Sequence, residues 1–203
     1  MKTIPVIALA CMLMGALTMT SCKKDSTPDE TCTNNTVWVA NGHQFVYWNE
    51  PIYILADSLY INLEESTPGI FKSTSKYDDG TIYPVQSNYI QPCGNSIYQS
   101  AVSTMDNRQE SWRIDGNIGD NWSSSVTSVG GYTVTTTTTI AAKNVSVTVA
   151  AGTFSSCLQL HSVSVSTAPG SSTVDTDVFL DNTAGPVKVL GTSVHYELVR
   201  KNY

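Results

Sequence analysis

This chain is short of charge. Asp, Glu, Lys and Arg make up 14% of its residues, against roughly 25% in ordinary globular domains, and Ser and Thr fill the polar positions instead. Eleven basic residues stand against 17 acidic ones, for a net charge of −6, and no basic block breaks the pattern. Phosphate backbones are held by clustered Lys and Arg, so no nucleic-acid partner is expected. Histidine is scarce too: His43, His161 and His195 are the only three. No Gly-x-Ser-x-Gly elbow and no His-Glu-x-x-His run organises a nucleophile or a metal, and no Cys-x-x-Cys or Cys/His pair has zinc spacing. An enzyme is not expected, nor is a cofactor or metal site. Beyond residue 21 no window carries a persuasive helical period.

What is present begins with "MKTIPVIALACMLMGALTMTSC". One cation, Lys2, precedes an uncharged apolar stretch from Ile4 to about Met19, and small residues lead up to Cys22. This is the layout of a secretory signal peptide. A transmembrane helix needs roughly 20 apolar residues; this run is shorter, contains Pro5 and Gly15, and ends in Thr-Met-Thr-Ser rather than a stop-transfer cluster. Met19-Thr20-Ser21-Cys22 resembles the lipobox of bacterial lipoproteins, with Met where that family usually has Leu. The resemblance implies that residues 1–21 are removed and that Cys22 is acylated and becomes the N-terminus. Each buried CH2 contributes about 0.8 kcal/mol, so several acyl chains on Cys22 hold a protein to a membrane stably where one does not. Lys23 stands where an Asp would imply retention at the inner membrane. The resemblance therefore implies the outer membrane of a Gram-negative bacterium, at its periplasmic face or at the cell surface. "KKDSTPDE" looks like the charged tether of surface-displayed lipoproteins. The expected organisation is a signal peptide at 1–21, the lipidated Cys22 with a flexible tether at 22–35, and a single antiparallel β domain at 36–203.

Cys11 leaves with the signal and Cys22 carries lipid, so Cys32, Cys93 and Cys157 remain. Three cysteines in an oxidising compartment allow at most one internal bridge, in three possible pairings. The alternative is that all three are free, with Cys157 buried as a small hydrophobe.

The rest of the chain alternates. "SLYINLE" puts Leu59, Ile61 and Leu63 on one side and Tyr60 and Asn62 on the other, a period of two. "YTVTTTTTIAA" sets Tyr132, Val134 and Ile140 on one face, and its β-branched residues lose χ1 freedom in a helix. Val145, Val147 and Val149 repeat the pattern, as do Val194, Tyr196 and Leu198. Asp78-Asp79-Gly80, Asp115-Gly116, Gly130-Gly131, Lys143-Asn144 and Pro169-Gly170 read as the hairpin turns between strands. The expected fold is all-β: a curved antiparallel meander of about ten strands, a half-barrel or open barrel with little helix. "TFSSCLQLHSVSV" has Phe154, Leu158 and Leu160 on one face and Cys157, Val163 and Val165 on the other. Either a bulge swaps the faces near His161 or the strand is covered on both sides.

Gly119 to Trp122, Val147 to Phe154 followed by Cys157, Gly185 to Lys188, and Glu197-Leu198 together resemble a family of uncharacterised bacterial lipoproteins. Their pattern is Gly-x-x-Trp, then Val-x-Val-x-x-Gly-Thr-Phe with a Cys soon after, then a Gly-x-Val-Lys turn and a Glu-Leu strand. The likeness runs from about Ile114 to the C-terminus. It implies a half-barrel like that of the lipoprotein carriers (LolA/LolB-like), whose concave face can hold acyl chains. Two features depart from the family: Phe179 is the only aromatic in "VDTDVFLDN", and Cys157 comes one residue late.

The remaining candidates each have a plainer use. His195 and Glu197 share a strand face and form half of a metal or acid-base site, or simply the polar side of a strand. Asp175, Asp177 and Asp181 suit Ca2+, or a charged edge that deters strand pairing. Trp38, Trp48, Trp112 and Trp122 suit sugar stacking, or packing. Asn34, Asn121 and Asn144 match glycosylation acceptors, a reading that lapses for a bacterial lipoprotein. The function expected is that of a non-enzymatic, lipid-anchored envelope lipoprotein binding an apolar or acyl ligand on its concave face. The alternative is a structural or surface-interaction lipoprotein with a filled core. The first requires a continuous apolar concave surface, and the second requires no pocket.

Overall fold

The structure is a computed structural model that describes residues 32–49, 58–78, 86–127, 130–192 and 194–203. The expected signal peptide, Cys22 and the expected tether up to residue 31, and part of the Asp78-Asp79-Gly80 turn lie outside the described residues. Twelve strands form one sheet: β1 (Gln44–Asn49), β2 (Ser58–Thr67), β3 (Ile70–Tyr77), β4 (Gln86–Cys93), β5 (Ser96–Ser100), β6 (Gln109–Arg113), β7 (Asn121–Thr127), β8 (Thr133–Val149), β9 (Gly152–Ser166), β10 (Val174–Asp181), β11 (Gly185–Gly191) and β12 (Val194–Lys201). Each strand pairs antiparallel with its sequence neighbour, except that β6 does not pair with β7, while β1 pairs with β12. The meander thus curls round until its first and last strands join. The result is a nearly closed barrel, with two strands more than the sequence suggests.

The open seam lies between β6 and β7, where side chains take over from a ladder. Trp122 Nε1 donates to Glu110 O at 3.1 Å, and Gln109 Nε2 donates to Ser125 O. These bonds satisfy backbone acceptors on the two edges, which would otherwise be open to another chain.

The alternation read from sequence sorts residues between lumen and solvent. Leu59, Leu63, Ile140, Leu160, Val178, Leu180, Tyr196 and Leu198 are all buried, whereas Glu64, Lys76 and Asp175 are exposed. Along the threonine-rich strand the inward hydroxyls pair across β8 and β9: Thr138 with Ser162 at 2.9 Å and Thr136 with Ser164 at 2.8 Å. Outward hydroxyls do the same across β7 and β8, as Ser123 with Thr137 and Ser125 with Thr135.

Two turns differ from expectation. Lys143-Asn144 is not a hairpin; it lies inside β8, where the register against β9 shifts at Ile140/Ala142, Ala142/Val145 and Val145/Val147. Asn144 takes φ 56° there, the left-handed conformation that Asn tolerates and that serves a bulge as well as a turn. Asp115-Gly116 joins the unpaired β6 and β7 rather than a hairpin. The faces of β9 do not swap near His161. Leu158, Leu160 and Ser162 stay inward and Val165 is exposed, while Cys157 is buried beside Leu158. There the strand is covered on both sides, because the irregular β8–β9 hairpin bends back and Ala151 N donates to Leu198 O at 3.0 Å.

Candidate functional site

One end of the barrel is closed by the segment before β1. Cys32 is disulfide-bonded to Cys93 at the end of β4, and Asn34 bridges to Gly94. Residues 32–35, grouped with the tether on sequence, are thereby joined to the barrel. The Asn34 side chain turns the segment inward: Oδ1 accepts from Thr36 N at 2.8 Å and Nδ2 donates to Val39 O at 2.9 Å. Trp38, 2% exposed, is driven down among Phe45, Trp112 and Gly185. Cys157, the third cysteine, is free and buried, and burial with the nearby Asp181 charge pushes its thiol up to about 11.

Above Trp38 lies a cavity of about 110 Å³. It is eccentric. Strands β1 to β6 and β10 to β12 contribute to its wall, and β7 to β9 contribute nothing. Phe45 and Tyr47 come from β1, Leu59, Ile61 and Leu63 from β2, Trp112 from β6, Val174 and Val178 from β10, Pro186 and Val189 from β11, and Val194 and Tyr196 from β12. The polar contributors are Ser73, Asn88, Gln99 and Thr176, and no Asp, Glu, Lys, Arg or His is among them. An eight-stranded barrel is just filled by its own side chains or holds one small ligand; twelve strands enclose more than these side chains occupy.

The tyrosine hydroxyls in the wall are already engaged. Tyr47 donates to Pro186 O at 2.9 Å, and Tyr196 meets Tyr77 at 2.9 Å. Burial, with a neighbouring tyrosine in each case, raises both wall phenols far above the ordinary tyrosine value, so they are neutral at any physiological pH. Two of the lining residues carry a buried polar atom, itself without accessible surface, that has no hydrogen-bond partner among the described residues: Trp38 Nε1 and Asn88 Oδ1.

The other candidate residues lie elsewhere. His195 and Glu197 are on the outer face of β12, Nε2 to Oε1 at 3.1 Å, and Glu197 takes Lys188 Nζ at 2.7 Å. This joins the Gly-Pro-Val-Lys segment, which is the start of β11 rather than a turn, to the Glu-Leu segment of β12. The Lys188 hydrogen bond, helped by His195, holds the Glu197 carboxyl below the usual carboxylate range against the cost of desolvation. His161 Nδ1 and Gln159 Nε2 both reach Asp177 Oδ1 at 3.1 Å, and His43 stacks on Tyr203 with centroids 4.0 Å apart. The three histidines therefore occupy three separate places. Asp181 accepts from Thr183 and Ala184 in a turn, so it does not join Asp175 and Asp177. Neither does β10 form an edge, since it is flanked by β9 and β11. No group of three potential metal ligands occurs among the described residues. Of the tryptophans, Trp38 and Trp112 line the lumen, Trp122 sits at the seam under Arg113, and Trp48 is exposed beside His195. Phe179 pairs with Lys188 and Gln159 between inward Val178 and Leu180, so the lumen draws its aromatics from β1, β6, β12 and the plug. Sequence reasoning missed Asn88; its only signal is its place two residues before inward-facing Ile90 in "QSNYIQPC".

Charges punctuate the outer face in mid-strand. Glu64 opposes Lys72, Lys76 lies over the Tyr60 ring, and Lys188 opposes Glu197. A barrel embedded in lipid turns an apolar band outward instead. Comparison with known proteins adds no relative: no family model matches the chain, and no curated protein and no solved structure matches it.

Proposed function

We propose that this protein is a lipid-anchored envelope lipoprotein, acylated at Cys22, that holds an apolar molecule or a segment of acyl chain inside its barrel. The carrying observation is the uncharged lumen above Trp38, where residues from nine strands, apolar ones in seven of them, converge on unfilled space. Burial of apolar surface at about 25 cal/mol per Å² supplies the affinity, and nothing in the wall asks for a charged partner. The signal-like leader and the lipobox-like Met19-Thr20-Ser21-Cys22 support the anchor. A Cys32–Cys93 disulfide suits the oxidising side of a membrane, and mid-strand charges on the outer face suit a barrel standing in water. Outer-membrane placement and kinship with the lipoprotein-carrier-like family rest on Lys23 and on the Gly-x-Val-Lys and Val-x-Val-x-x-Gly-Thr-Phe segments. In this reading the chain performs no chemistry; it binds and presents or shields.

The test is native mass spectrometry of the full-length protein purified from a bacterial envelope, with organic extraction of whatever accompanies it. The expected result is an N-terminal acylated Cys22 and an apolar molecule released on denaturation. A mature chain without acyl groups would remove the anchor. An empty barrel that takes up no apolar dye would leave a structural lipoprotein that works through its loops and edges.

A further inference from the structure

We infer that the Cys32–Cys93 disulfide is a thiol-exchange site: a dithiol reductant attacks Cys93 Sγ, and Cys32 Sγ leaves as a thiolate against the Arg108 guanidinium. The inference goes beyond the reading of the lumen and does not depend on what fills it.

Access comes first. Along β4, Ile90 and Pro92 are buried, with Ile90 on the lumen wall, so the alternate residues Gln91 and Cys93 project from the outer face. Cys32 and Cys93 are both only half-buried, and exposed bridges are the kind that exchange with thiols in solution. Asymmetry comes second. Arg108, the residue before β6, donates from Nη1 to Cys32 Sγ at 3.8 Å. Its guanidinium is held there by Gln91 Oε1 and by the Tyr98 ring, whose centroid lies 4.7 Å from Cζ. Gln91 and Tyr98 are themselves cross-strand partners on β4 and β5. Among the described residues Cys93 Sγ has no such donor. Attack on a disulfide expels the sulfur that better carries negative charge, and a guanidinium gives a thiolate a charge-assisted hydrogen bond. Cys32 is therefore the leaving sulfur.

In the step, one thiolate of the dithiol bonds to Cys93 Sγ while the bond between the two cysteine sulfurs breaks and its electron pair stays on Cys32. The second thiolate of the dithiol then displaces Cys93 and closes the reductant's own disulfide. Two electrons pass to the protein, and the dithiol's two protons are left for the two cysteines. What the exchange removes is the covalent tie of the segment that carries Trp38. The bond from Gly94 N to Thr33 O at 2.9 Å and those of the Asn34 side chain then hold its start alone.

The experiment uses the full mature chain with Cys22→Ser, which leaves Cys32, Cys93 and the buried Cys157. Reduced glutathione, a monothiol that stops at the mixed disulfide, is followed by N-ethylmaleimide on the native protein and peptide mapping. Glutathione is expected on Cys93 and maleimide on Cys32, with Cys157 untouched. Dithiothreitol, a dithiol, supplies the rate. Arg108→Gln should slow reduction by about tenfold, roughly what one charge-assisted hydrogen bond gives when it is part-formed in the transition state. Arg108→Lys, which keeps the charge, should fall between the two. A purely structural Arg108 predicts the opposite sign, because its loss would loosen the packing with Gln91 and Tyr98 and speed reduction. A rate in Arg108→Gln equal to or above that of the parent chain would therefore overturn the proposal, and so would glutathione found mainly on Cys32. A bridge that dithiothreitol reduces only in denaturant would overturn it as well and leave a structural clamp.

Discussion

A Cβ placed on Gly185 would lie 2.8 Å from Cδ2 of Trp38. The start of β11 and the floor of the lumen are therefore built against each other, with room for hydrogen alone between them. Gly185 also has φ +75°, where an L side chain is strained. Gly185→Ala should lower stability by at least about 2 kcal/mol, combining left-handed strain with the clash. Gly42→Ala is the control: φ is +78° but nothing lies within 4 Å, so the cost should stay near about 1 kcal/mol. Urea denaturation midpoints of the two variants decide the matter; equal losses would mean that the indole moves aside freely.

The Cys32–Cys93 bridge closes a separation of 61 residues and holds the plug across the barrel end. Replacing both cysteines by serine should cost about 2–4 kcal/mol. Hydrogen exchange should show residues 34–39 opening before the barrel strands do. Loss of stability spread evenly over all strands would argue against a separately clamped plug.

Cys157 should resist modification. It is fully buried, and its thiol is pushed up to about 11, so little thiolate exists at pH 8. Iodoacetamide labelling followed by peptide mapping should find Cys157 unmodified in native protein and modified in denaturant. Rapid labelling of the native chain would mean that the β8–β9 hairpin does not cover it.

The seam between β6 and β7 depends on side chains, so it should be the weak line of the barrel. Trp122→Phe keeps an aromatic ring but loses the Nε1 donor to Glu110 O, at a cost of about 1 kcal/mol. The amides of β6 and β7 should then exchange faster than those of β1 and β12, which close the other side by a true ladder.

Acid should destabilise the protein through Glu110 and Glu197. Burial works to raise the Glu110 carboxyl, but hydrogen bonds from Arg113 and Ser96 and the Arg113 charge outweigh it and hold the group low. Glu197 is held low by Lys188. Both give up their protons more readily folded than unfolded, so as pH falls the unfolded chain protonates first. Their stabilisation is complete above the unfolded value of about 4.3 and is lost as pH drops through the lower folded values. Glu110→Gln and Glu197→Gln should each flatten the fall in thermal midpoint below about pH 5; an unchanged slope in both would assign acid sensitivity to other carboxylates.

The strands were legible because a period of two is a local property. Leu59, Ile61 and Leu63, or Val194, Tyr196 and Leu198, declare one face without reference to anything distant, and each set points into the lumen. Lys143-Asn144 misled because a left-handed Asn serves a hairpin and a bulge equally; only the partner strand β9 decides which. The cysteines gave a count but no pairing, since Cys32, Cys93 and Cys157 are equivalent until the chain brings Cys32 to Cys93 at the end of β4.

By itself the sequence determined the all-β class, the alternation that separates inside from outside, and the shortage of charge. Those properties follow from side-chain chemistry and nearest-neighbour sterics. Tertiary structure alone decided that β1 meets β12, that Trp38 becomes a floor against Gly185, and that Asn88 shares a cavity with it. The reason is that closure pairs residues such as Tyr47 and Leu198 that lie far apart along the chain, and no local pattern records which distant strand will supply the last ladder. Nor does it record how much space twelve strands leave unfilled between them.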